Sequence, residues 1–358
     1  MCLLCSDGRE AMYNKTLLVI CTNVILDQIK NLPKLEKLYC FDNKHIKRII
    51  NLPNLKVLDC RRCSQLEKIE GVPSLEFLDC SMTNFVQINL MPNLKILYCS
   101  NSSVNKIPYS PLIELECYDT DIKELPELPE LKILMCQNNK IQKLPMFPAL
   151  EYLDVSNTEI MELPKYPKLR TLICAKNNVK NISDIYATYD TSNIYNTNNI
   201  YNTSNIYNTN NQLETLVISE TKIKYVPTIN SLIILDCRNS AVLEIGEFKN
   251  LRKLHCDDTK ITRLPNLPAL TNLSCCGSTI TKIPPNLKWV ECRKTCITEE
   301  PINCDGIWNT CKWLEPSFRN ISKLKIIQKY FRQKTKERRN KIKQITSIKD
   351  LNNLIINY

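Results

Sequence analysis

The sequence predicts an α/β repeat fold, mostly β: a solenoid of about fourteen units with a parallel sheet on its concave face, an extended convex side and a C-terminal helix. Three columns of residues predict it. The first is an anchor column, made of Cys40, Cys60, Cys80, Cys99, Cys117, Cys136, Cys174, Cys237, Cys256, Cys275 and Cys292, with Ile20, Val155 and Ile218 completing fourteen positions. Its steps are 19 residues in most cases and 17 to 20 otherwise, except for one of 44 between Cys174 and Ile218. The second is proline seven residues before many anchors, as at Pro33, Pro53, Pro129 and Pro148. The third is a small polar residue three after them, as at Thr83, Asn139, Thr158 and Asn177. A fixed period in this range is the signature of stacked repeats.

Taken in order, residues 1–15 form an N-terminal cap and residues 16–300 the solenoid. An Asn-rich insertion over 180–212 interrupts it; residues 301–319 form a second cap and 320–358 a basic helical tail. Within a unit such as "LKILMCQNN", alternation along a strand turns Leu131, Leu134 and Cys136 one way, and Ile133 and Met135 the other. Seventeen of the nineteen prolines precede residue 300. Proline lacks a backbone donor and fixes φ, so the return path of each turn is expected to be extended rather than helical.

The cysteine column is expected inside, as small apolar packing in the reduced state. In-register parallel neighbours are held too far apart for the roughly 3.8 Å between Cβ atoms that a disulfide prefers. Cys2 and Cys5 make a lone C-x-x-C with no second pair, so no metal site is expected. The Asn/Thr/Ser column is expected to satisfy backbone groups of the buried turn. The insertion "NIYNTNNIYNTSNIYNTNN" repeats every six residues through Ile194, Ile200 and Ile206, which accounts for the long step. Trp308 and Trp313 lie beside Cys304 and Cys311, an apolar cluster suited to covering the open end of a stack.

The formal net charge is +11, of which the segment Ile321–Lys343, with ten Lys or Arg and one Glu, carries +9. The repeats are therefore nearly neutral and offer no nucleic-acid footprint. Five glycines and two histidines leave no phosphate-cradling loop and few general bases, so an enzyme is not expected. No cofactor and no small-molecule substrate are expected either. Neither a signal peptide nor a run of 18 apolar residues occurs, and the many cysteines suit a reducing compartment, so a cytoplasmic location is expected.

The repeating P-x-L-x-x-L-x-C-x-x-[N/T/S]-x-I-x-x-L-P resembles the leucine-rich repeat family over roughly residues 16–300. The doubled L-P-x-L-P is similar to its short subclass, best known from bacterial effectors. The excess of isoleucine, lysine and asparagine also resembles repeat proteins of large, mimivirus-like DNA viruses of amoebae, which would imply a host cytoplasm. The resemblance implies a protein ligand on the concave face. There the outward positions supply the expected contacts: Tyr39, Phe41, Asp59, Phe77, Asp79, Tyr98, Tyr118, Met135, Tyr152 and Asp154. Aromatics mixed with acids are common at protein hot spots.

In the tail, "IQKYFR" is similar to the first half of an IQ motif, with Ile327, Gln328 and Arg332 matching and Phe331 an apolar residue at helical spacing from Ile327. Gln333 stands where glycine is usual, Glu337 where a base is usual, and Arg338 and Arg339 follow. Three readings remain: a solvated basic helix packed on the last repeat, a segment gripped by a calmodulin-like light chain, or a contact with nucleic acid or an anionic membrane. Effectors with similar repeats also carry a ubiquitin-ligase domain. Cys304-Asp305 only faintly resembles it, leaving an effector-like adaptor in ubiquitin signalling as a further alternative.

Overall fold

The computed structural model describes residues 18–20, 25–180, 182, 212–285, 287–295 and 297. The expected caps (1–15 and 301–319), the tail of 320–358, and all but residues 180, 182 and 212 of the insertion lie outside them.

The chain is a solenoid whose main sheet has fourteen parallel strands in chain order, from Leu18–Ile20 to Trp289–Glu291. Each strand is three residues long, and from Lys37–Tyr39 onward each ends immediately before its anchor. Leu134 stands between Leu115 and Leu153, and the same register carries through the stack. Central positions of these strands, such as Leu58, Leu97, Leu134, Leu216 and Leu273, are fully buried. The strand Thr171–Ile173 pairs directly with Thr215–Val217, so the 44-residue step closes in the sheet like any other turn.

One expectation is corrected at the first turn. Val19 pairs with Leu38 and Ile20 with Tyr39, so Ile20 occupies the position before the anchor rather than the anchor itself. The anchor falls on Cys21, outside the described residues. A one-residue slip exchanges inward and outward side chains, and the alternation of so short a run had left that choice open.

The convex side is extended, as its prolines require. It carries short parallel strands Gln28–Lys30, Arg48–Ile50 and Lys68–Glu70 at one end and Tyr225–Val226 with Glu244–Ile245 further along. No helix occurs among the described residues. Phe85, Phe147 and Phe248 fill the space between the two sides.

Cys40 is buried, and the anchor cysteines from Cys60 to Cys275 are buried free thiols. Burial raises their pKa, that of Cys174 to about 12, which keeps them protonated and inert. The expectation of a wholly reduced column needs one correction: Cys292, at its far end, is disulfide-bonded. The polar column does what its position demands. Thr83 Oγ1 donates to Cys80 O at 2.6 Å, Thr259 Oγ1 to Cys256 O at 2.7 Å, and Asn139 Nδ2 bridges Cys117 O and Cys136 O at 2.7 and 3.0 Å. Cys63 substitutes here, with its Sγ 3.0 Å from Cys40 O.

A further column escaped the sequence reading. Two residues after every described anchor the backbone is left-handed, with φ between 53° and 66°. Seven of these positions are Asn or Asp and one is Gly277, whereas Arg62, Met82, Lys176, Glu220 and Lys294 adopt the conformation against their preference. The sheet ladder runs on into the turn and holds them, for instance through Asn138 N donating to Ser156 O at 2.9 Å.

A candidate protein-binding face on the main sheet

Three rows of side chains point outward from the main sheet: three residues before the anchor, one before and one after. The register aligns Asp79, Tyr98, Glu116, Met135 and Asp154 along the middle row, and Phe77, Ile96, Glu114, Ile133 and Tyr152 along the row beside it. Between Phe77 and Ser156 these three rows contain no Lys or Arg. The predicted residues are thus brought onto one surface, with Tyr39, Phe41 and Asp59 at its N-terminal end.

They are not equally accessible. Tyr39, Phe41, Phe77, Tyr98, Tyr118, Met135 and Asp154 are half-buried, whereas Asp59, Asp79 and Tyr152 keep only 5%, 7% and 6% of their surface. The sequence suggested projecting side chains, but the aspartates fold back onto their own strand ends. Asp59 Oδ1 accepts from Arg61 N at 3.3 Å, Asp79 Oδ1 from Ser81 N at 3.0 Å, and Asp154 Oδ1 from Ser156 N at 3.0 Å. Each has a capping duty as well as any contact duty.

Contacts between rows stiffen the surface. Phe77 and Tyr98 meet edge to face with ring centres 5.4 Å apart, and Tyr98 Oη donates to Glu114 Oε1 at 2.6 Å. Arg61 lies 5.3 Å from the ring centre of Phe41 and pairs with Asp59 at 2.9 Å. Glu114 was missed by sequence reasoning, although it occupies the same outward row as Phe77 and was recoverable from that spacing. In the row after the anchor, Ser100 is buried beside Tyr118 and bonds it, while Gln137 Oε1 on the other side is enclosed without a well-formed hydrogen-bond partner.

Burial, and for Glu116 also like charge, raises pKa values on this surface. Glu116 is pushed up to about 7, first by burial and then by Glu114 and Asp79. Burial also raises Asp154, and it raises Tyr98 together with the hydrogen bond and charge of Glu114.

Beyond Ile234 the surface changes character. Arg238 forks onto Asp236, with 2.6 Å between Nη2 and Oδ2, and Arg293 pairs with Glu291 at 2.6 Å. Asp257 accepts from Ser274 Oγ and Cys276 N, both at 2.6 Å. His255 is shifted down by burial. Among the described residues no group of three or more His, Cys, Asp or Glu is placed to hold a metal ion, and no helix is long and apolar enough to cross a membrane. The tail residues Ile327, Gln328, Phe331, Arg332, Arg338 and Arg339 lie outside the described residues.

No family model matches the sequence, and no curated protein matches it. Solved structures do. The functional domain of InlJ from Listeria monocytogenes, described as including a cysteine ladder, superposes with a TM-score of 0.60 at 21% identity, covering 79% of this chain. This chain spans 64% of that one, less than two thirds of its length. YopM, a leucine-rich effector protein from Yersinia pestis, gives 0.57 at 20% identity, covering 78% of this chain and 89% of the other. The APL1 leucine-rich repeat domain gives 0.54 at 14% identity, with 85% and 90% covered. With these likenesses, the parallel sheet, the extended return path and the repeating inward leucines establish that the chain has the leucine-rich repeat fold.

Proposed function

We propose that the protein is a non-enzymatic interaction scaffold that binds a protein ligand across the outward face of its main sheet. The observation that carries this is the continuous surface from Tyr39 to Asp154, where aromatic and acidic side chains stand side by side in sheet register. Aromatic rings held in place by edge contacts lose little freedom on binding, which makes them efficient anchors. The buried free thiols of the anchor column suit a reducing cytoplasm, that of a host if the source is viral, as the working location, whereas the Cys292 disulfide at its end does not.

The basic tail supplies a second contact in the same proposal. Its charge suits an acidic partner, whether a calmodulin-like light chain or a phosphate-bearing surface. The test is affinity capture from cell lysate with and without calcium, comparing the full chain with a variant carrying Tyr39→Ala, Phe77→Ala and Tyr98→Ala. A ligand lost only by the variant, with its circular dichroism unchanged, supports the scaffold. Identical captures would show that binding does not use this face.

A further inference from the structure

We infer that the acidic strip between Phe77 and Asp154 is the docking site of the chain's own basic segment, Ile321–Lys343. The inference rests on reading that face as a binding surface.

The strip carries acids with no cation among them: Asp79 and Asp154 accept from Ser81 N and Ser156 N and Glu114 from Tyr98 Oη, while Arg61 approaches Asp79 only from the edge, at 4.0 Å. Asp79, Glu114, Glu116 and Asp154 share three outward rows that hold no Lys or Arg. On the flank, Lys95 is engaged by Glu76 at 2.9 Å, and Lys132 stands at the equivalent position two turns on. Gln137 Oε1 is enclosed nearby without a well-formed partner. Buried acceptors call for donors, and lysine and arginine carry donors only. Ile96, Ile133 and Met135 lie between the acids, apolar ground for a long cationic side chain's methylene stem.

The chain itself carries a matching ligand. Ten basic residues in Ile321–Lys343 are interleaved with Leu324, Ile327 and Phe331, and this +9 segment holds most of the +11 net charge. The strand Glu114–Glu116 lies eight strands from Trp289–Glu291 in the sheet. At about 4.8 Å per strand that is roughly 40 Å. An extended chain rises up to about 3.3 Å per residue, so residues 297 to 323 span that distance with length to spare; the inference thus takes 301–319 as linker in place of the cap expected from the sequence. The nearer acids are weaker attractors: Asp236 and Glu291 already face Arg238 and Arg293, and Asp257 is occupied by Ser274 and Cys276.

The experiment uses the full chain and limited trypsin digestion. A docked segment is cleaved slowly; in the variant carrying Glu114→Gln and Glu116→Gln, cleavage within 321–343 is expected to accelerate about tenfold, as a loss of roughly 1.4 kcal/mol of docking would give. Near 0.5 M salt, where the screening length is under about 5 Å, the parent should behave like the variant. Independently, zero-length carbodiimide coupling of the parent should join lysines of the segment to Glu114 and Glu116, in monomers, at a yield unaffected by dilution. Equal cleavage of parent and variant, or coupling mainly to exposed acids such as Glu124 and Glu220, would overturn the inference. So would coupling confined to dimers, which would place a second copy's tail on the strip. A fluorescein-labelled synthetic 321–343 peptide separates the two levels. Its binding to the parent but not to the Gln variant, without internal coupling, would keep the surface and remove the self-docking.

Discussion

The two ends of the outward sheet face solve the same electrostatic problem differently. From Asp236 to Arg293 the acids have partners on the same face: Arg238 beside Asp236, Ser274 and Cys276 on Asp257, Arg293 beside Glu291. From Phe77 to Asp154 the acids accept only neutral donors, Ser81 N, Tyr98 Oη and Ser156 N, with no cation among them, and Glu116 is held near neutrality by burial. Both regions share one backbone and one inward column, so the contrast is not a demand of the fold. The second arrangement leaves acids without cations beside them, which is the feature the proposed docking rests on.

The strongest test of that contrast separates inward from outward positions on a single strand. Leu97→Ala, fully buried, should cost about 2–5 kcal/mol in denaturant unfolding. Tyr98→Ala next to it, losing an edge contact and a hydrogen bond, should cost about 1–2 kcal/mol. Equal costs would make the outward row packing rather than surface. Next in size, Asp257→Ala strips two donors of their acceptor and should destabilise by about 1–3 kcal/mol. Asp79→Asn, in the acidic strip, should leave stability nearly unchanged or raise it. If Asp79 proves as costly as Asp257, the two regions are alike.

A pH comparison sharpens the difference. The pKa of Glu116 is raised on folding, so its favourable contribution is complete below the ordinary carboxylate pKa near 4.5 and is lost as pH rises through about 7. Replacement by Gln should therefore stabilise the protein at pH 8 by about 1 kcal/mol and make no difference at pH 4. A gap that does not change with pH would mean that Glu116 is not desolvated among acids. The smallest effect concerns the turns that carry both regions. Met82 sits at φ 57°, where Asn is better tolerated, and Met82→Asn should raise stability by about 0.5–1 kcal/mol, read as a shift in melting temperature. No gain would mean that the ladder, not residue preference, sets the turn.

Much of this fold was legible because periodicity is strict. The leucine, cysteine and Asn/Thr/Ser columns repeat at one spacing, and burial forces each into a single chemical solution. The left-handed column was harder to see, since Arg62, Met82 and Lys176 blur the Asn/Asp pattern when hydrogen bonds between turns impose the conformation. The first anchor slipped by one residue because a short apolar run, Leu17 to Cys21, fits either phase of the alternation. On the candidate site, spacing placed the aromatics correctly but could not show Asp59 and Asp79 turning back onto their own strands, nor the Tyr98–Glu114 bond. Those depend on side-chain torsions, which no spacing rule contains.

The pairing of Thr171–Ile173 directly with Thr215–Val217 has a consequence for how such chains can grow. Each turn contacts chiefly its neighbours, so a segment that leaves and re-enters between two turns is charged only for closing a loop. That entropy rises with the logarithm of length, about 0.6 kcal/mol per doubling. The stretch between the buried Ile182 and Leu213 is therefore a natural splice point, where a peptide tag or a whole folded domain could be grafted while the turns on either side keep their register.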